Sequence, residues 1–208
     1  MGNNLVYRTH DPVKIAAGVE EIVRRDVGWK TPLTVRTTMG TTDPLTARSF
    51  FADVGRLMVE HKTQVLMTLE IDLPGPRESN LIVPIHRQGV IAYPGSVIFV
   101  IEIARPIDEP VGFEEHRMFK RAAFLGGRAA ARLNAAEGLT KLADDTLASL
   151  AVVGSLTLQL PRVFALTPSE TGSRLMMRSL PHKSSILGPM TTGAGDMLRI
   201  AKLVENAL

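Results

Sequence analysis

The feature that most constrains the fold is a run of extended segments between residues 64 and 104, with no helical segment among them. Residues 65–73 alternate apolar and polar side chains, the period of a strand with one solvated face. Segments 81–86 and 96–104 follow, and residues 97–101 are apolar throughout, as in a central strand. Strands that cluster in runs rather than alternating with helices predict an α+β fold, a mostly antiparallel β-sheet packed against several helices.

Helical periodicity flanks these strands. Asp11-Pro12 is a typical helix start, and apolar residues then recur at helical spacing until Gly28. The Thr-rich segment 31–42 is predicted to be an extended strand or arm. Three other helices are predicted: one that begins at Asp43-Pro44, one over 140–151, and an amphipathic C-terminal helix over 197–208. Further strands are predicted over 152–160, 162–166 and 174–180.

Composition restricts the class of protein. The chain of 208 residues has no cysteine, which excludes disulfides, thiolate metal sites and a cysteine nucleophile. Its longest apolar stretch, 147–160, is interrupted by polar residues and is too short to span a membrane. We therefore expect a soluble, cytoplasmic protein without signal peptide or membrane insertion. We expect one α+β domain over residues 1–208, in which 1–42 form a helix plus an extended arm.

Residues 110–134 are predicted to form one long central helix with three different faces. Besides an apolar stripe it has a basic sector, formed by Arg117, Lys120, Arg121, Arg128 and Arg132, and a small-residue sector, formed by Ala123, Gly126, Gly127, Ala130 and Ala131. Because each interior glycine costs a helix about 1 kcal/mol, the Gly-Gly pair has two interpretations. Either it ends one helix and begins another, or the helix continues and its small-residue sector packs closely on a second subunit.

The basic sector also has two interpretations. Charged stripes are typical of a solvated helix face, which would give these residues no partner. Arginine at four of the five positions instead favours contact with a phosphate ligand or nucleic acid, because the planar guanidinium binds oxyanions bidentately.

A glycine-rich turn precedes the C-terminal helix. Backbone N–H groups near Gly193 and Gly195 could face an anion at the helix start. The string Gly-Ala-Gly-Asp over 193–196 resembles the anion-hole motif of ribokinase-type sugar kinases, and the resemblance implies that Asp196 acts as a catalytic base. It is confined to these residues, since the chain lacks the repeated strand–helix units of that family. We expect instead a turn in which Asp196 favours the helix start.

No other sequence motif indicates a catalytic activity. Glu102 interrupts an apolar run, so it is a candidate buried acid, as is Asp196, unless it lies at the wet end of its strand or pairs with an arginine. The histidines have no metal-ligand spacing, and no nucleophile elbow or phosphate-binding loop occurs. We expect no catalytic residues, no metal and no cofactor.

These observations favour a non-catalytic structural subunit of a homo-oligomeric assembly, of virion or shell type, over an enzyme. The Thr-rich segment 31–42 and the small-residue sector motivate self-association. One alternative is a phosphate-ligand or small-molecule enzyme or binding domain that uses the 193–196 turn and the basic sector. A second alternative is a protein that contacts nucleic acid.

Overall fold

The computed structural model describes residues 10–40, 64–75, 77–95, 97–114, 121–147, 163–179, 182–183 and 190–208. Over these residues the chain forms four helices, a nine-stranded antiparallel sheet and a two-stranded sheet, so the predicted α+β class is confirmed. In chain order the elements are α1 (Pro12–Val27), β1 (Thr34–Met39), β2 (Gln64–Asp72), β3 (Ser79–Gln88), β4 (Ile91–Pro94), β5 (Val97–Ile103), β6 (Val111–Glu114), β7 (Ala123–Leu125), α2 (Gly127–Ala135), α3 (Leu139–Leu147), β8 (Val163–Ser169), β9 (Gly172–Ser179), β10 (His182–Lys183), β11 (Met190–Thr191) and α4 (Ala194–Ala207).

The large sheet has the order β1-β2-β3-β5-β9-β8-β6-β7, and β4 pairs with the end of β3. Strand β5 lies in the middle, where its first five residues are buried, as the apolar run over 97–101 predicts. Pro84 lies within β3, where a missing backbone donor would normally break a ladder. It is tolerated because it faces the junction between β4 and β5, where Gly95 N donates to Pro84 O at 2.9 Å.

Helix α1 follows its sequence signals. Asp11 is the N-cap, and its carboxylate accepts a hydrogen bond from Val13 N at 3.0 Å, with Pro12 at the first helical position. Gly28 ends the helix with φ of 104°, a conformation that favours glycine.

All four helices contribute to one core on one face of the sheet. The helical members of this core include Val19, Leu133, Ala143 and Ile200. The odd-numbered residues of β2, β3 and β5 meet them from the sheet, since side chains alternate between faces along a strand. The opposite face carries a smaller buried apolar cluster, formed by Ile82, Ile98 and Val100.

The prediction of one long helix over 110–134 is wrong. Strands β6 and β7 occupy parts of this segment, and α2 begins only at Gly127; residues 115–120 lie outside the described residues. Gly126 and Gly127 have φ of 100° and 59°, and a Cβ at Gly126 would lie 2.6 Å from the Pro110 carbonyl oxygen. The glycine pair therefore forms a tight turn against the chain's own backbone, rather than a smooth face for another subunit.

Aromatic packing also favours strands over a helix here. Phe113 of β6, Phe124 of β7 and Phe164 of β8 form a cluster with ring centroids 4.9–5.8 Å apart. Such tilted and edge-on contacts add to the burial of the rings. Pairing β6 with both β7 and β8 brings the three phenyl groups together.

The remaining predictions divide between confirmed elements and segments that are not described. Helices α3 and α4 and strands β8 and β9 confirm the predictions for 140–151, 197–208, 162–166 and 174–180 to within a few residues. The helix predicted from Asp43-Pro44 and the strand predicted over 152–160 lie outside the described residues. Of the helices described, none is long and apolar enough to cross a membrane.

Candidate functional site

Strand β1 forms one edge of the large sheet. Within the described part of the chain it pairs with β2 alone, from Thr34 opposite Asp72 to Met39 opposite Met67. The Thr-rich segment predicted to be extended is therefore a strand with an open side.

Two backbone hydrogen bonds show which N–H and C=O groups of β1 face away from β2. Gly40 N donates to Leu66 O at 2.8 Å, and Leu73 N donates to Ser79 O at 2.8 Å. Because N–H and C=O groups alternate in direction along an antiparallel strand, residues 34, 36 and 38 face β2. The N–H and C=O groups of Val35, Thr37 and Met39 consequently point outward. Their side chains lie on the helix-covered face of the sheet, where Val35 packs against the core.

The one charged residue of β1, Arg36, is paired with carboxylates of the neighbouring strand β2. Arg36 Nη1 and Nη2 donate to Asp72 at 2.7 and 2.5 Å, and Nη2 also donates to Glu70 Oε1 at 2.6 Å. These hydrogen bonds, first from Asp72 and then from Glu70, raise the pKa of Arg36 above its ordinary value. A guanidinium held this way is turned toward its neighbouring strand, so it does not guard the edge against pairing.

The residues of β1 itself, all of which the structure describes, include no other common protection of an edge strand. It contains no proline and no lysine, and its ladder with β2 is continuous over all six pairs. Thr34, Thr37 and Met39 are exposed, and 71% of the Met39 surface is accessible. An uncharged edge of this kind is a template for another strand.

The other edge of the sheet, at β7, is closed. Asn134 of α2 accepts a hydrogen bond from Phe124 N and donates one to Phe124 O, each at 2.8 Å. The side-chain amide takes the position that a neighbouring strand would occupy. The two end strands therefore differ: β7 is clamped by its own helix, whereas no described residue pairs with the outer side of β1.

The glycine-rich turn is engaged by a carboxylate of this chain. Asp26, near the end of α1, accepts hydrogen bonds from Thr192 N at 2.8 Å and from the Thr192 hydroxyl at 2.9 Å. Gly193 is the N-cap of α4, and its N–H donates to the Thr191 hydroxyl. A Cβ at Gly195 would lie 2.5 Å from the Asp26 carbonyl oxygen. Close packing against α1 thus gives a structural reason for a glycine in this turn.

The two candidate acids are placed differently from the expectation of burial. Asp196 is exposed, because it lies on the outer side of the first turn of α4. Glu102 is partly buried and accepts from Arg174 Nε at 2.7 Å, from the Ser169 hydroxyl at 2.7 Å and from the Thr171 hydroxyl at 3.3 Å. These contacts tie β5 to the β8–β9 turn and correspond to the arginine-paired alternative.

The residues of the basic and small-residue sectors do not share one helix. Arg128 and Arg132 are exposed on α2, and Arg132 donates to Leu208 O at 2.9 Å. Arg121 precedes β7 and is exposed, and Arg117 and Lys120 lie outside the described residues. Of the small residues, Ala123 lies in β7 and Gly126 and Gly127 form the turn, whereas Ala130 is buried in the core and Ala131 is exposed on α2. The small-residue sector that was predicted on one helix is therefore not formed.

A buried amide lies on the sheet face that is turned away from the helices. Asn80 of β3 is 1% exposed, and within the described part of the chain neither its amide nitrogen nor its oxygen has a hydrogen-bond partner. It lies opposite Asp72 on β2 and Val100 on β5. Leaving such a group unsatisfied costs about 1–3 kcal/mol, so its presence in the buried part of the sheet calls for an explanation.

Sequence reasoning missed Asp26, Asn134, Asn80 and the Arg36 network. Arg36, Glu70 and Asp72 all occupy even positions of two predicted strands, and this pattern is the one available signal that they share a face. Their contact also depends on strand register, which the residues alone do not specify.

Comparison of this chain with family models, with curated proteins and with solved structures finds no match. Among the residues that the structure describes, no three histidine, aspartate or glutamate side chains come together as metal ligands.

Proposed function

We propose that this chain is a non-catalytic subunit of a homo-oligomer, and that copies associate through the open edge of β1. The observation that carries the proposal is the contrast between the two edges of the sheet. Asn134 clamps β7, while Val35, Thr37 and Met39 present outward backbone groups with no charge to repel another strand.

Self-association would satisfy these groups and cover Met39. Pairing along one six-residue strand gives an interface at or below the lower end of the usual size range, so we expect a dissociation constant on the order of micromolar. The prediction of a virion or shell needs a second interface on each subunit, because one strand edge joins only two copies.

Sedimentation velocity tests this function over a range of about 1–200 µM protein, which brackets a micromolar dissociation constant. We expect the mean mass to rise with concentration toward that of an oligomer. Met39→Lys should shift association to higher concentration by roughly tenfold or more, since lysine on an edge strand opposes pairing. Leu125→Lys is the matched control, because Leu125 is an exposed apolar residue of the clamped edge. A chain that stays monomeric throughout, or equal effects of the two lysines, would refute the proposal.

A second candidate function, small-molecule binding, is favoured by Asn80. Its amide can donate and accept, and it lies beside Asp72 and Val100, so the ligand to test is one with both a polar edge and an apolar part. A thermal-shift screen with nucleotides and sugar phosphates tests it, with Asn80→Leu as the control that should lose any shift. Stabilisation of both proteins alike, or of neither, would count against this candidate.

Contact with nucleic acid through Arg121, Arg128 and Arg132 stays a prediction. Its test is a salt titration of binding to duplex and single-stranded nucleic acid. A chain that does not bind either one at low salt would exclude this prediction.

A further inference from the structure

We infer that two copies pair antiparallel about a twofold axis at Thr37, so that Val35 of each copy lies opposite Met39 of the other. This inference rests on the proposed self-association through β1 and specifies its register. It follows from three constraints: side-chain parity, backbone direction and charge.

Parity restricts the position of the axis. A twofold axis perpendicular to a continuous sheet keeps each face of the sheet on the same side in both copies. Two residues that lie directly opposite each other across the axis must therefore have side chains on the same face. This holds only if one residue lies opposite its own copy, so the axis is placed at a residue and not midway between two residues of the strand. For a strand covering Thr34–Met39, the two registers with the largest overlap are centred on Arg36 and on Thr37.

Backbone direction favours Thr37. With the axis at Thr37, all three outward-facing residues are opposed: Thr37 to its own copy, and Val35 to Met39 on both sides. Each such pair exchanges two backbone hydrogen bonds. With the axis at Arg36, only the two Val35–Thr37 pairs are opposed, and Met39 has no opposed partner within the strand.

Side-chain chemistry points the same way. An axis at Arg36 sets two identical charges opposite one another, each balanced by Asp72 and Glu70 of its own copy, so the pair gains no opposite-charge contact across the axis. An axis at Thr37 sets threonine against threonine and methionine against valine, and Arg36 opposes Thr38. The methionine that is exposed in the single chain is then covered by the partner.

The same geometry limits the assembly to two copies through the large sheet. The strand at the far end of the order, β7, is engaged by the Asn134 amide at Phe124, so of the two end strands described only β1 is left for pairing. A twofold pairing of identical edges is closed, in contrast to a head-to-tail contact that would propagate.

The absence of cysteine from the chain makes a site-specific cross-linking test direct. In the proposed register the two Thr37 Cα atoms are about 5.5 Å apart, which lies within the range for a disulfide. Thr37→Cys should therefore give a covalent dimer in a buffer of oxidised and reduced glutathione. The two Thr38 Cα atoms are offset by two residues and lie roughly 8 Å apart, so Thr38→Cys should not cross-link.

A double variant reports the competing register. With the axis at Arg36, Thr34 of one copy opposes Thr38 of the other, so Thr34→Cys/Thr38→Cys would cross-link and Thr37→Cys would not. That outcome would overturn the register and leave self-association standing. A wild-type dimer in sedimentation with none of these cross-links would overturn the use of the β1 edge. A wild-type monomer up to the highest concentration would overturn the proposed function itself.

Discussion

Replacing Asn134 with alanine removes the clamp on β7 and tests how this edge of the sheet is held. Two hydrogen bonds of 2.8 Å join the Asn134 amide to the Phe124 backbone, and Phe124 is buried. At about 0.5–1.5 kcal/mol each, their loss would cost about 1–3 kcal/mol of unfolding free energy. Alanine has the higher helix propensity and restores roughly 0.5 kcal/mol, so the expected net loss is about 0.5–2.5 kcal/mol.

The assay is urea unfolding followed by circular dichroism, at a protein concentration below that of self-association, because association shifts apparent stability. We expect a lower midpoint with an unchanged slope, and a fall in melting temperature of about 2–4 °C for each kcal/mol lost. Arg128→Ala is the control, since Arg128 is exposed on the same helix. If Asn134→Ala is as stable as this control, the clamp does not hold the edge, and the contrast between the two edges loses its basis.

Three further changes probe the rest of the structure. Gly195→Ala should destabilise the fold by about 1–3 kcal/mol in urea unfolding, because its Cβ would lie 2.5 Å from the Asp26 carbonyl oxygen. The control Gly75→Ala, whose Cβ would lie 3.7 Å from its nearest atom, should cost under about 1 kcal/mol, and equal effects of the two changes would contradict the close approach. Arg36→Ala should cost about 1–3 kcal/mol in urea unfolding, because it leaves the carboxylates of Glu70 and Asp72 side by side without the guanidinium that binds both; a variant as stable as the wild type would refute this account. Asn80→Leu should raise the unfolding free energy by about 1–3 kcal/mol, because it removes an unsatisfied buried amide, and a loss of stability would show that the amide has a partner.

Most strands and the terminal helices could be predicted because their signals are local. The N-cap at Asp11, the alternation over 65–73 and the apolar run over 97–101 each depend on neighbouring residues only. The α+β class followed from the order of these segments, and the antiparallel sheet confirms it.

The prediction of a helix over 110–134 failed because contacts with residues distant in sequence outweigh the local periodicity. Its spacing fits a helix, but Phe113 and Phe124 reach Phe164 only when their segments pair as strands. The Gly126-Gly127 pair was interpreted either as the junction of two helices or as a close approach to a second subunit. It instead joins strand β7 to helix α2, and its close neighbour is Pro110 of the same chain. The identity of that neighbour depends on tertiary structure.

The candidate sites depended even more on distant contacts. The Thr-rich segment indicated an extended strand, but its position at the sheet edge and the direction of its backbone groups follow from its pairing with β2. Thr192, next to the 193–196 turn, donates to Asp26, which lies 166 residues away in sequence. No periodicity connects positions so far apart.

The most direct test of self-association through β1 is the mass of the unmodified chain and of Met39→Lys, measured by sedimentation across the same concentrations. We predict that the mass of the unmodified chain rises to twice that of the monomer and levels there, while that of Met39→Lys stays near the monomer over most of the range. A constant monomer mass for the unmodified chain would contradict the account, and so would a dimer that forms equally well with lysine at position 39.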